Sequence, residues 1–251
     1  MDKVALESWL NVGECVNVQM PNEIFEDLAK ADFKSFNHKC FAYAYYYLTC
    51  YIYRNTLYGD GKTEQYSQQN IIKVFTTNKS SVSYITKSDG ILDEMNYTKT
   101  TTDYPVAYYM HDGILEFGLI KELRKKIPDL EINHSPRFCV KEPIKGMARF
   151  DGEDYTGTFY SFQNTHKIDV NQFITIVNDG KLGHVGLYLF GYISMMCDKF
   201  SKYRITNEEL AKMVGCSERT IQSYMIRLEQ LALIQSTKVT LNNKTQKLYS
   251  V

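Results

Sequence analysis

Between Ile205 and Ile234, residues that start, turn and stop helices fall at spacings that leave few structures open. Thr206 followed by Glu209 is a capping box: the hydroxyl satisfies early helix amides while the carboxylate reaches back. A short helix, Asn207 to Val214, follows with Leu210, Ala211 and Val214 on one face. Gly215 then supplies the backbone freedom for a tight turn. Ser217 is an N-cap for a second helix, in which Ile221, Tyr224, Met225, Leu228 and Leu231 recur at helical spacing. The polar, lysine-bearing segment beyond it predicts a hairpin, Val239 to Leu241 and Lys247 to Tyr249 around Asn242-Asn243.

Two helices that cross closely need a small residue at the contact, a glycine at the turn and a β-branched plug between them. Ala211, Gly215 and Ile221 stand at those places. The segment resembles the helix-turn-helix family and, with its hairpin, looks like a winged helix. The resemblance implies DNA binding; winged helices also serve protein contacts. The face opposite Ile221, Tyr224 and Leu228 carries Arg219, Thr220, Gln222, Ser223 and Arg227. Arginine bonds guanine bidentately and glutamine does the same to adenine. Serine and threonine at a helix start, here Ser217 and Thr220, hold phosphates. Lys238, Lys244 and Lys247 on the hairpin are candidates for a phosphate backbone or the minor groove.

The pattern recurs. Moved back by 139 positions it falls on Tyr66 to Met95 without a gap, with Ser67 on Thr206, Val82 on Ile221, Ile85 on Tyr224 and Leu92 on Leu231. The candidate contact residues of this first unit are Lys79, Ser80, Ser81, Ser83, Tyr84 and Lys87, a less charged set that suits phosphate and shape contacts. Thr76 stands where Gly215 stands, so its turn departs from the pattern. An aromatic helix precedes each copy, Cys40 to Arg54 and Val185 to Phe200, and short stretches around Val18 and Ile168 precede those. Between the units, strands flank His111-Asp112-Gly113, Gly118 to Ile127 reads as a basic helix, and Arg137 to Val140 and Gly152 to Phe162 suggest more strand pairing.

The expected fold class is therefore α+β and helix-rich: two winged helix-turn-helix units related by an internal duplication. The expected organisation is 1–127 for an N-terminal winged-helix unit, 128–165 for connecting strands and 166–251 for a C-terminal winged-helix unit. At 251 residues with 44% hydrophobic and 23% charged residues, the chain is long enough to bury real cores. Its longest apolar run, Phe41 to Tyr53, carries six tyrosines and Thr49 and is shorter than the roughly 20 residues of a membrane span. No secretion signal is expected from Met1-Asp2-Lys3, and six scattered cysteines without a C-x-x-C pair read as reduced core thiols, so the expected compartment is cytoplasmic.

Basic and acidic residues balance at 29 each, yet the charge is unevenly placed. Residues 199–251 hold nine lysines and arginines against four acids, and 119–150 hold eight against four. Phosphate contacts dominate DNA affinity, and the excess coincides with the motif.

Catalysis finds no support. Gly61-Lys62-Thr63 resembles the end of a phosphate loop, but Thr56 occupies the place of the required first glycine. The five histidines, His38, His111, His134, His166 and His184, form no H-x-H, H-E-x-x-H or Cys/His cluster, so no metal and no cofactor are expected.

Two winged helices in a chain of this length resemble the replication initiators of iteron-containing plasmids. The resemblance implies double-stranded DNA as partner, an N-terminal unit (1–127) for dimerisation and phosphate contacts, and a C-terminal unit (166–251) for DNA recognition. It also implies origin repeats bound as a monomer, a homodimer that represses its own gene, and host replication proteins as further contacts. A transcription regulator from a phage or mobile element is the alternative. A winged-helix protein-interaction scaffold is the second.

Overall fold

The structure is a computed structural model that describes residues 2–12, 17–59, 63–112, 114–127, 138–147, 149–150, 155–241 and 244–251. Helix α1 (Lys3–Leu10) precedes strand β1 (Asn17–Pro21), helix α2 (Ile24–Lys30) and the long helix α3 (Phe36–Arg54). A 3-10 turn (Thr63–Tyr66) leads into α4 (Gln68–Phe75), α5 (Lys79–Thr86) and the single turn α6 (Ile91–Glu94). Strands β2 (Thr98–Thr101), β3 (Pro105–His111) and β4 (Ile114–Leu119), helix α7 (Ile120–Lys126), β5 (Val140–Pro143) and the two-residue strands β6 (Arg149–Phe150) and β7 (Tyr155–Thr156) follow. The last part comprises β8 (Thr165–Asp169), α8 (Val170–Asn178), α9 (Gly183–Phe200), β9 (Tyr203–Ile205), α10 (Asn207–Val214), α11 (Glu218–Gln230), β10 (Gln235–Leu241) and β11 (Lys244–Ser250). The fold is α+β, rich in helix, with small antiparallel sheets. No described helix is long and apolar enough to cross a membrane.

Helix α3 is the centre of the molecule. It starts four residues before the expected Cys40, because the Ser35 side chain accepts a hydrogen bond from the His38 amide and caps it. Every residue from Cys40 to Tyr53 is buried, and a helix buried on all sides must be covered on all sides. The cover comes from α2, α4, α5, α9, β1 and β5. Helix α9 packs along it: a Cβ at Gly191 would collide with the Tyr43 hydroxyl and ring, so glycine there makes room for the phenol against the α9 backbone. Burial pushes the phenols of Tyr43, Tyr46 and Tyr47 far above their ordinary values. Cys40, Cys50 and Cys197 are buried thiols, while Cys139 and Cys216 are half-buried; Cys15 lies outside the described residues.

The two halves of the chain are stitched together. Strand β1 pairs antiparallel with β8, Asn17 opposite Asp169 and Pro21 opposite Thr165. Beneath this ribbon the fully buried His166 accepts a hydrogen bond at Nε2 from the Tyr43 hydroxyl (2.7 Å) and donates from Nδ1 to Asn22 Oδ1 (2.9 Å). Asn22 donates in turn to Asn164 Oδ1 (3.3 Å). Burial, helped by the charge of Lys199, lowers His166 to about 3.

A second buried polar group pins the first pair of short helices. Lys141 on β5 has a side chain only 1% exposed, and its ammonium donates to the Lys87 carbonyl (2.9 Å), Asp93 Oδ1 (2.7 Å) and Thr100 Oγ1 (2.8 Å). All three donors are used. Asp93 also accepts from Thr98 and Thr100, so β2, β5, α6 and the end of α5 meet at one carboxylate.

Several expectations are corrected in detail. The basic helix starts at Ile120 because Gly118 and Leu119 complete β4, paired with Ala107 and Pro105. Strand pairing over Gly152 to Phe162 shrinks to Tyr155–Thr156, since Gly157 at φ +114° turns the chain; Gly152 lies outside the described residues. Arg137 lies outside them too, and β5 continues to Pro143. The last hairpin is longer than predicted, from Gln235 to Ser250, because its polar residues pair in full register and β9 joins β11.

Replacing Lys141 with alanine should cost about 3 kcal/mol, because it takes the counter-charge from the largely covered Asp93 carboxylate and empties a buried site; urea unfolding of Lys141→Ala measures this. His166 is neutral in the fold and ionises below about 6.5 once unfolded, so the unfolded chain binds more protons. Its stabilising effect is complete above pH 6.5 and is lost as pH falls, by up to about 1.4 kcal/mol per unit. Urea midpoints between pH 7 and 5 should show this slope, and His166→Gln should lower it by one proton.

Candidate nucleic-acid interface

The segment with the clearest sequence signals folds as two short helices joined by a turn and followed by a hairpin, which β9 before the helices completes to a three-stranded antiparallel sheet, order β10-β11-β9. Thr206 and Glu209 close on each other as a full capping box at the start of α10. Leu210, Ala211 and Val214 are buried. Gly215 sits at φ +83°, a left-handed conformation that side chains resist, and lets the chain reverse. Ser217 caps α11 by accepting from the Thr220 amide (3.1 Å), and the two hydroxyls bond each other (2.7 Å). Ile221, Met225 and Leu228 are fully buried beneath α11.

The turn before α11 and the far end of α11 are each held by a group distant in sequence. At the turn, Lys39 of α3 donates to the Val214 carbonyl (2.6 Å), its ammonium lying over the rings of Phe36 and Tyr188. At the far end, Arg227 donates from Nε and Nη2 to Asp179 Oδ2 (2.9 and 2.7 Å) and from Nη1 to Gln230. Burial opposes ionisation of Asp179, but bonds from Arg227 and from the Lys181 and Leu182 amides outweigh it and hold the carboxyl below its ordinary value. Arg227, expected on the DNA-facing side, is thus an anchor: its guanidinium already has its carboxylate.

The remaining expected contacts of α11 divide clearly. Arg219, Gln222 and Ser223 are exposed and form no hydrogen bond among the described residues. Ser217 is exposed at the helix start and Thr220 is half-buried. On the hairpin, Lys238 faces Lys247 across the ladder. Lys247 is bound to Glu229 (2.8 Å), which also accepts from Ser236, so one carboxylate offsets the repulsion of two opposed lysines. Lys244 opens β11, its side chain outside the described ones.

The first unit differs in kind. Helix α5 stops at Thr86, eight residues against thirteen in α11. The turn before it needs no left-handed residue, since Thr76 is extended. Its serines are engaged locally: Ser80 and Ser81 bond Asn78, and Ser83 donates to the Ser80 carbonyl. Lys79 reaches Gln69 (3.3 Å) and Lys87 is exposed at the helix end. Tyr84 is turned inward, contrary to expectation. Its hydroxyl bonds His38 Nδ1 (2.9 Å) and accepts from the Lys34 amide, while the Lys34 ammonium covers its ring.

Sequence reasoning missed Lys39, Asp179 and Lys141, whose partners lie far along the chain. No protein-family model matches this sequence, and no curated protein or solved structure matches it.

Arg227→Ala and Asp179→Ala should each lower stability by about 1–2 kcal/mol, and the double variant by little more, because they remove the same bond. Hydrogen exchange should rise first in α11 and at residues 179–183.

Proposed function

We propose that this chain is a sequence-specific double-stranded DNA-binding protein of the plasmid or mobile-element replication-initiator kind, built from two winged helix-turn-helix units related by duplication. The observation that carries the reading is α11: a helix whose far end is clamped to Asp179 and whose preceding turn is held by Lys39, with outward side chains Arg219, Gln222 and Ser223 that have no partner among the described residues. Such a helix is prepared for the major groove, where arginine and glutamine discriminate base pairs. The basic excess of residues 199–251 coincides with it.

The duplicated arrangement draws support from the order of elements. Strand, short helix, long helix and two short helices occur as β1-α2-α3-α4-α5 and again as β8-α8-α9-α10-α11, with β9 added. In this reading the second unit reads bases, while Lys79, Ser80, Ser83 and Lys87 of the first meet phosphates. A regulator dimerising through a long helix is the less favoured reading, because both long helices, α3 and α9, are buried. Binding of a second copy and of host replication proteins belongs to the same proposal.

A footprint on the DNA flanking the protein's own gene, at about 150 mM salt because affinity is salt-dependent, tests it. Evenly spaced, same-direction protected repeats are expected; a single inverted repeat favours the regulator, and no protection favours a protein-binding role. Arg219→Ala with Gln222→Ala should cost about 1–3 kcal/mol of discrimination per lost contact and leave non-specific binding in place. Competition between cognate and random duplex measures both.

A further inference from the structure

A polar recess of about 540 Å³ opens between the start of α10, the first turns of α11 and the hairpin β10–β11. Most of its charged lining is already engaged. Thr206 and Glu209 bond each other, Lys212 is paired with Glu208 (2.7 Å), and Lys247 is paired with Glu229. Four side chains in the recess make no hydrogen bond or ion pair among the described residues: Asn207, whose Oδ1 is buried, and Glu218, Gln222 and Lys238. Glu218 and Gln222 are four apart on α11 and so share a face, and Lys238 stands on the opposite wall.

A free carboxylate at this place is at odds with polyanion binding, since every nearby phosphate repels it. A first-turn acid does complement the helix dipole, but that role does not need a side chain lining the recess beside Gln222. A carboxylate in the major groove has one good use: it accepts a hydrogen bond from the exocyclic amino group of cytosine, the strong donor that G·C and C·G pairs present there.

Resting on the DNA-binding reading, we propose that Glu218 is a specificity-determining residue that selects a cytosine next to the base pair contacted by Gln222. Lys238, across the recess, holds the adjoining phosphate and offsets the repulsion. Glu218 thus acts as a filter, raising discrimination while weakening binding to DNA that lacks the cytosine.

Binding sites selected from a random duplex library by the full chain, and by Glu218→Ala and Glu218→Gln, test this. Glu218 is exposed, so both variants should fold, and circular dichroism checks that they do. The wild type should enrich a motif with an invariant cytosine. Both variants should lose preference at that one position, discrimination there falling about tenfold or more, while their affinity for unrelated duplex rises as a like charge is removed. A dipole role alone would shift thermal stability and leave every base preference intact. An enriched motif that is the same in all three proteins overturns the Glu218 assignment and leaves the DNA-binding reading standing. If the wild type enriches no motif, that reading falls and takes the assignment with it.

Discussion

The structure depends on keeping α3 dry. Fourteen consecutive residues, Cys40 to Tyr53, are withdrawn from water, six of them tyrosines whose hydroxyls lose hydration on burial. Such a helix is tolerable only inside a complete shell. The shell draws on both halves of the sequence: α2, α4, α5 and β1 from the first, β5 and α9 from the second. Two polar groups inside it have specific partners, Tyr43 in His166 and Thr49 in the Tyr45 carbonyl, whereas the hydroxyls of Tyr47 and Tyr51 are buried with no hydrogen-bond partner among the described residues. Aromatic packing fills the rest, with Tyr47 stacked on Phe173 and Tyr46 edge-on to Tyr97.

The candidate reading helix inherits its position from this core. Lys39, one residue before the buried run, carries a charge from α3 to the end of α10, where the carbonyls at a helix C-terminus favour it. The turn at Gly215 therefore rests on the N-terminal half of the chain, and Asp179 fixes the other end of α11 from the α8–α9 connection. The outward residues of α11 stand on a rigid base. In the first unit, by contrast, Tyr84, Asn78 and the serines satisfy one another and the core.

What was legible in the sequence is what acts over three or four residues. The Thr206–Glu209 box, the Gly215 turn, the Ser217 cap and the buried stripe Ile221, Met225 and Leu228 all form where local spacing puts them. The long helices and the last hairpin were legible for the same reason. Illegible were pairings whose partners are distant. Arg227 lies in a polar pattern indistinguishable from that of Arg219, and only the position of Asp179 separates an anchor from a free contact. Tyr84 looked exposed because His38 and Lys34 are far upstream. Lys141 looked like one more member of a basic segment, whereas the fold buries it against Asp93. The β1–β8 pairing gave no signal, since neither five-residue strand holds a hairpin turn.

That ribbon sets a timetable for synthesis. The hydrogen bond between His166 and Asn22 spans 144 residues, and β1 has no other strand partner in the described structure. A nascent chain that has emerged only as far as α7 holds α3 without α9, and β1 as a bare edge able to template pairing with other chains. Closing so distant a contact is slow, and until β8 leaves the ribosome the tyrosine-rich face of α3 has only half its cover. Vulnerability to aggregation is thus concentrated in one interval of translation, and it ends when a five-residue strand arrives.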